Sequence, residues 1–401
     1  GAAPAGGLCP PAPPDPAGES MARLLVLGVL AMLFLYSAAS GAVLRVEKDG
    51  SGDYTAIQPA VDNASPGDTI LVGPGRYTEH QSFAPSGQVF FDTYVAVTVD
   101  SLTIKGTDRD AVVIGPEVPN IVGFDPNGVL TSVDLDKLTL AFLTIENVYG
   151  AIYSFVGTQV DNCVFRDCGI GIMAACRSGL IVRNCQFIEC LHDGIAIAED
   201  TPATIIEGCE FGQCSCGVAA IGAQYALIRD CVFQGGAAGI QYESGATGTI
   251  ERCRFVDQVS SGIAVFTGAV VSVWENHVGG CQVSIDVSGF GARVTGERNI
   301  LRGGSYATVW VNTGRVELHN NHILYDGGHL VRAGAFVNPP DVTLDLQNNY
   351  WGIADSDSIA GLIYDGNDDP NVHAFVDFEP YSITPLPAQH RSLGSVKNLY
   401  R

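Results

Sequence analysis

Apolar and polar positions alternate along most of the chain in short runs broken by Gly, Asn or Asp, and the runs recur at a fixed interval. Asp161-Asn162-Cys163-Val164-Phe165-Arg166-Asp167-Cys168 returns as Arg183-Asn184-Cys185-Gln186-Phe187-Ile188-Glu189-Cys190. It returns again around Cys209-Glu210-Phe211, Cys231-Val232-Phe233 and Cys253-Arg254-Phe255, at Cys spacings of 22, 24, 22 and 22. Period-two alternation with turn residues between the runs predicts short strands rather than helices. Val160, Val182, Ile206, Ile228 and Ile250 stand before each Cys, and Phe165, Phe187, Phe211, Phe233 and Phe255 after it, as inward columns. Gly171-Ile172, Gly194-Ile195, Gly217-Val218, Gly239-Ile240 and Gly262-Ile263 then open a further strand in each repeat. A repeat of this length predicts one coil of a parallel β-solenoid, with like residues stacked at roughly 4.8 Å. A leucine-rich repeat is similar in length, but its Leu and Asn signature is absent.

The frame runs on after Cys253. Asn276, Arg298, Asn321 and Asn349 are expected in the Cys column, and Val278, Ile300, Ile323 and Trp351 in the Phe column. Cys and Asn then share one role, a small side chain stacked at a turn. Tyr54 to Ala64 is expected to form a short capping helix, because the first coil has no neighbour to cover its open strand edge. Trp351 and Phe378 are expected to cover the last coil. The fold class is all-β, a parallel β-helix of about 22-residue coils with a short N-terminal capping helix.

Glu47-Lys48-Asp49-Gly50-Ser51-Gly52-Asp53-Tyr54-Thr55-Ala56-Ile57-Gln58, with Gly67-Asp68-Thr69-Ile70-Leu71-Val72 and Gly75-Arg76-Tyr77-Thr78-Glu79, resembles the opening of pectinesterases. More broadly it resembles the right-handed parallel β-helix proteins of the pectin-lyase-like superfamily. Ser101-Leu102-Thr103-Ile104-Lys105-Gly106 and Val112-Val113-Ile114-Gly115 continue the likeness, which with the repeats covers nearly all of Val43 to Pro380. Asn348-Asn349-Tyr350-Trp351-Gly352 is similar to the closing segment of secreted bacterial β-helix proteins. The resemblance implies a right-handed coil and an extracellular polysaccharide as partner, with uronate-type lyase or hydrolase chemistry in a catalytic member. The pectinesterase motifs Gly-Thr-x-Asp-Phe-Ile-Phe-Gly and Gln-Asp-Thr are absent, as are the polygalacturonase and pectate lyase motifs, so no family catalytic residue carries over. Phe124-Asp125-Pro126-Asn127 is similar to the Asp-Pro-His motif of alginate epimerases, but Asn127 replaces the His. The competing class is a non-catalytic surface scaffold or adhesin, since one fold hosts many functions.

Met21 to Ser40 reads as a secretory signal: Arg23, an apolar run from Leu24 to Tyr36, then Ala38-Ala39-Ser40. A membrane anchor is the alternative, for which the apolar run is short. The expected organisation is therefore an upstream lead (1–20), a signal peptide (21–40), a β-helix domain (43–380) and a polar tail (381–401). The mature chain is expected outside the cell or in a periplasm, without a membrane span. Beyond Cys9 the chain keeps an odd 11 of its 12 cysteines. Their repeat-locked positions predict stacked, buried thiols rather than disulfides. Zinc at Cys214-Ser215-Cys216 with His192 is the alternative, although paired Cys-x-x-Cys spacing is missing. The net charge of −22 argues against nucleic acid or an anionic membrane as partner. An acidic polysaccharide is repelled too, unless calcium or a local basic groove intervenes.

The outward residues before the Cys column, Asp161, Arg183, Glu207, Arg229 and Glu251, alternate in sign and predict a charge ladder. On the strand opened by Gly-Ile the outward residues are Met173, Ala196, Ala219, Gln241 and Ala264, then Ala175, Ala198, Ile221, Glu243 and Phe266. That flat, nearly uncharged face is expected to be covered by a loop or the tail, or else to meet a partner or a sugar ring. The acid–base candidates are His192 and Asp193 at one end of that strand, with Arg183 as the cation a lyase needs near a uronate. Arg177, Glu199 and Glu243 are the substrate-binding candidates, and Asp200 stands beside Glu199. The turn at His192 is otherwise read as solvated. His277 and His322 share a column two coils apart, too far for one metal ion. Asp365, Asn367 and Asp369 have the oxygen spacing of a calcium loop, the one candidate cofactor, but Pro370 and Val376 replace the Gly and Glu that such a loop uses.

Overall fold

The computed structural model describes residues 41–385 and 387, except 120–122, 124, 176–177, 200 and 335–340. The predicted lead, the signal segment and most of the tail lie outside the described residues, as do Phe124, Cys176, Arg177 and Asp200. Among the described residues no helix is long and apolar enough to cross a membrane.

Strands of successive coils pair in parallel, like on like, and build three ribbons. One is a fourteen-stranded sheet running from Val43–Val46 to Ala374–Asp377. The second, a short ribbon, is built from three-residue strands such as Val164–Arg166, Gln186–Ile188 and Glu210–Gly212. The third, a long ribbon, follows in each coil as Ile170–Ala174, Asp193–Ile197, Cys216–Ile221, Ala238–Glu243 and Ser261–Val265. Later, His277–Ser288 and Ile300–Asn312 each run through the corner between these two ribbons as one strand.

Between the fourteen-stranded sheet and the short ribbon the chain turns on one left-handed residue per coil, among them Asn162, Asn184, Asp230, Glu275, Arg298 and Asn320. The next residue points inward and meets the coil above. The N–H of Cys163 approaches Cys185 Sγ at 3.4 Å. From Cys253 onward the acceptor is an amide oxygen: Cys253 donates to Asn276 at 2.9 Å, Asn276 to Asn299 at 2.9 Å, Asn299 to Asn321 at 2.9 Å, and Asn321 to Asn349 at 2.8 Å. Thiol and amide thus do share one position, but the expected frame slips once. Asn299, not Arg298, stands in the column, and Leu301, not Ile300, packs between Val278 and Ile323. The reason is a coil one residue longer than a 22-residue step. Arg298 occupies the left-handed turn position and reaches Glu275 at 3.3 Å.

The ten described cysteines are free and buried. Burial pushes the thiols of Cys163, Cys185, Cys209 and Cys231 well up, and that of Cys168 to about 12. They behave as small apolar side chains at neutral pH. Beside them Phe165, Phe187, Phe211, Phe233 and Phe255 stack face to face, with ring centroids 4.6 to 4.8 Å apart. Glycine in the following strand is what admits the rings. A Cβ on Gly194 would stand 2.7 Å from Phe211 Cδ1 and 2.6 Å from the Gly217 carbonyl oxygen.

Helix α1, Ile57–Asp62, buries Ile57, Ala60 and Val61 at the open end, within the expected span. At the other end Trp351 is fully buried with Phe378 edge-on at 6.2 Å. The solenoid nevertheless continues past Trp351, because Ala374–Asp377 pairs in parallel with Val342–Asp345. Helix α2, Ser356–Ala360, capped by the Asp355 carboxylate accepting from Ser358 N–H at 2.8 Å, interrupts that coil. An antiparallel hairpin, Gln81–Phe83 with Phe91–Val97, leaves the frame near the start. Neither interruption follows from the repeat.

Candidate functional site

The long ribbon carries a central column that changes character along the molecule. In register it reads Leu130, Tyr153, Met173, Ala196, Ala219, Gln241, Ala264, Asp286, Trp310, Arg332 and Tyr364. Tyr153 is flanked by Phe155 at 4.9 Å and, from the hairpin, by Phe91 at 6.1 Å. A floor of small side chains follows. Beyond Ala264 the column becomes aromatic and charged.

At that end Tyr306 meets Trp310 edge-on at 5.2 Å. The Arg332 guanidinium lies 4.4 Å from the Tyr364 ring centre, 5.3 Å from Tyr306 and 6.0 Å from Trp310, a cation–π setting. Its Nη1 is 3.1 Å from His329 Nε2, and its Nε is buried without a hydrogen-bond acceptor. No carboxylate lies within ion-pair reach of it among the described residues. The neighbouring cation holds His329 below its ordinary range after burial has lowered it. A Cβ on Gly334 would stand 3.0 Å from Trp310 Cη2, so glycine makes room for the indole. One coil back, burial raises the Asp286 carboxyl, against which the Ser288 hydroxyl donates at 2.5 Å.

The predicted acid–base residues divide. His192 and Asp193 do share this face, with the His192 ring 6.4 Å from Tyr149. Burial raises the Asp193 carboxyl, opposed by His192 and reinforced by the Glu243 charge. Glu243 accepts from Gln241 Nε2 at 3.2 Å on the same ribbon. Arg183 does not join them. It stands on the fourteen-stranded sheet and reaches Glu207 at 3.4 Å, whose other oxygen takes Arg229 at 3.0 Å. This is the charge ladder read from the alternating signs, formed at these three coils. Glu199 is exposed at the turn after its strand, its Cγ lying over Gly222, and Arg177 is outside the described residues.

The Asp365 loop is occupied by its own backbone. Asp365 accepts from the Asn367 and Val376 N–H groups at 2.8 and 2.9 Å, and Asp369 from Asn371 N–H and the Tyr364 hydroxyl at 2.9 and 3.0 Å. Among the described residues no three His, Cys, Asp or Glu side chains converge as metal ligands do. His277 and His322 stand in one column with Ile300 between them, as the repeat required. The sequence reading missed Tyr306, Trp310, Arg332 and Tyr364. The signal for them was the column itself, carried forward past Ala264.

A coil of three parallel ribbons with ladders inside and a differentiated outer face defines a parallel β-helix. The family described as a right handed beta helix region matches residues 147–323 and 223–349, together about half of the chain, and the chain belongs to it. No curated protein matches the sequence. Among solved structures, a mannuronic acid specific polysaccharide family 6 lyase from human gut microbiota aligns with a TM-score of 0.50 at 12% identity, covering 84% of this chain and 91% of that one. The catalytic domain of a GH87 alpha-1,3-glucanase, in complex with tetrasaccharides, aligns at 0.48 and 10% identity, covering 87% and 69%. The mannuronan C-5 epimerase A-module of Azotobacter vinelandii aligns at 0.39 and 12%, covering 74% and 90%. At these identities the likeness is one of fold.

Proposed function

We propose that this chain binds an extracellular acidic polysaccharide along the outward face of the long ribbon. A uronate carboxylate pairs with Arg332, and a sugar ring lies against Trp310 or Tyr306. The observation that carries this reading is Arg332 itself, a guanidinium among three aromatic rings with no acidic partner among the described residues, in a protein of net charge −22. Holding an unpaired cation there is costly unless a ligand supplies the counter-charge, and a planar guanidinium matches a carboxylate in two hydrogen bonds. Aromatic faces flanking a small-residue floor suit the apolar faces of sugar rings, and the ~4.8 Å coil step repeats contacts along an extended chain. The lyase with the TM-score of 0.50 acts on a uronate polymer, in keeping with this reading. A signal peptide at 21–40 would bring the chain to such a polymer.

A second reading has one observation in its favour. Asp193, raised by burial beside His192, is suited to take a proton from a sugar carbon in an elimination. Hydrolysis by two carboxylates is less well supported. Asp193 and Asp286 stand four coils apart, ~19 Å along the axis, against the ~5 to 10 Å that paired glycosidase carboxylates need.

The test is electrophoresis of the folded protein through gels containing pectate, alginate or a neutral glucan, with absorbance of unsaturated uronate recorded in parallel. Retardation by an acidic glycan, abolished in Arg332→Gln, is the expected result. Equal migration in all gels overturns the binding reading, and Asp193-dependent unsaturated product establishes the lyase.

A further inference from the structure

The short ribbon carries a second cationic feature on a different face. Its first outward column runs Gln186, Glu210, Val232, Arg254, His277, Ile300 and His322 in register. The second runs Ile188, Gly212, Gln234, Val256 and Gly279. Gly279 follows Val278, which pairs with Leu301, and Arg302 follows Leu301, at the point where the ladder begins to shift register. Gly279 is a bare position, with Val256 paired to it on one side and His277 two residues before it. A Cβ built on Gly279 meets nothing within 4 Å, and its φ is not left-handed. The strand tolerates a side chain there and lacks one.

Neither Arg254 nor Arg302 has a carboxylate within ion-pair reach among the described residues. The acids of the adjoining turn are committed elsewhere, Glu275 to Arg298 at 3.3 Å and Asp230 to Arg252 at 2.8 Å. Asp257, at the other turn, lies over Gly280. His277 pairs in register with Arg254, and its imidazole is held below its ordinary range, first by burial and then by the charges of Arg254 and Arg302. Two unpaired cations and an imidazole, all exposed around a position that bears no side chain, concentrate positive potential on one patch of a strongly acidic protein.

We propose that this patch is an oxyanion site, in which Arg254, His277 and Arg302 hold a carboxylate, sulfate or phosphate group seated over Gly279. It is independent of the Arg332 face and goes beyond the glycan reading.

The experiment follows the His277 ring resonances of the full chain by NMR during titration with sodium sulfate, sodium phosphate and an oligogalacturonate, at ionic strength held constant with chloride. Saturable shifts with a rise in the His277 pKa are expected. Arg254→Gln and Arg302→Gln are expected to weaken the binding at least tenfold, and Gly279→Val to abolish it by filling the bare position without changing any charge. Arg332→Gln is expected to leave it unchanged, which separates this site from the long-ribbon face. Saturation by the inorganic ions assigns a free-ion site, and saturation by the oligouronate alone assigns a chain-borne group. Shifts that are linear in ligand with all three probes, or equal in the folded Gly279→Val protein, overturn the proposal.

Discussion

At the scale of single residues, the column of Cys163, Cys185, Cys209, Cys231, Cys253, Asn276, Asn299, Asn321 and Asn349 shows what one position must supply. Cys185, Asn276, Asn299, Asn321 and Asn349 each accept from the N–H of the column residue one coil before, which is otherwise a buried donor with no acceptor. Asn299→Ala orphans the Asn276 N–H and is expected to cost about 1 to 3 kcal/mol in denaturant unfolding. Asn299→Cys places the other native solution in the column and is expected to recover a substantial part of that loss. Equal stability of the two variants would show that the thiol does not take over the amide's acceptor role. Asp286 gives a residue-scale prediction about pH. Its folded carboxyl is raised by burial, so the folded state holds the proton more tightly than the unfolded chain. The contribution favours folding at low pH and is lost as pH rises through the folded value. Asp286→Asn is therefore expected to raise Tm at neutral pH and to leave it unchanged near pH 3. A stabilisation that does not depend on pH would contradict this.

At the scale of the element, the coil is held by the phenylalanine stack and the glycines that admit it. Phe211 is at the middle of five rings, stacked at 4.8 Å on Phe187 and 4.6 Å on Phe233. Phe211→Ala is expected to cost about 3 to 5 kcal/mol, the ordinary price of a large core cavity. Phe211→Leu should cost less, in the same unfolding measurement. These elements were legible in the sequence because Cys, Phe and Gly-Ile repeat by identity. Legibility failed where identity gave way to chemistry. Arg298 and Asn299 are both polar, and a coil one residue longer moved the column from one to the other. Strand Gln81–Phe83 and helix α2 were invisible to a periodic argument, because each is an insertion within a coil.

At the scale of the whole molecule, the solenoid turns sequence intervals into a straight file of side chains. His192, Asp193 and Glu243 could be placed on one face because they lie within the regular repeats. Trp310, Arg332 and Tyr364 lie beyond them, brought into register by strands of irregular spacing and by a coil that α2 interrupts. The net charge of −22 set the condition that an acidic glycan needs a local cation, the role proposed for Arg332. If a chain lies along the axis, affinity should depend on how many coils it spans. The most direct measurement is calorimetric affinity for oligouronates of increasing length, on wild type, Trp310→Ala and Ala219→Trp. Affinity is expected to climb with length in the wild type and to fall by about 2 kcal/mol, roughly thirtyfold, in Trp310→Ala. In Ala219→Trp, where an indole stands up from the floor of small side chains, the gain with length is expected to stop short. Length dependence and affinity identical in all three proteins would contradict a chain bound along the long ribbon.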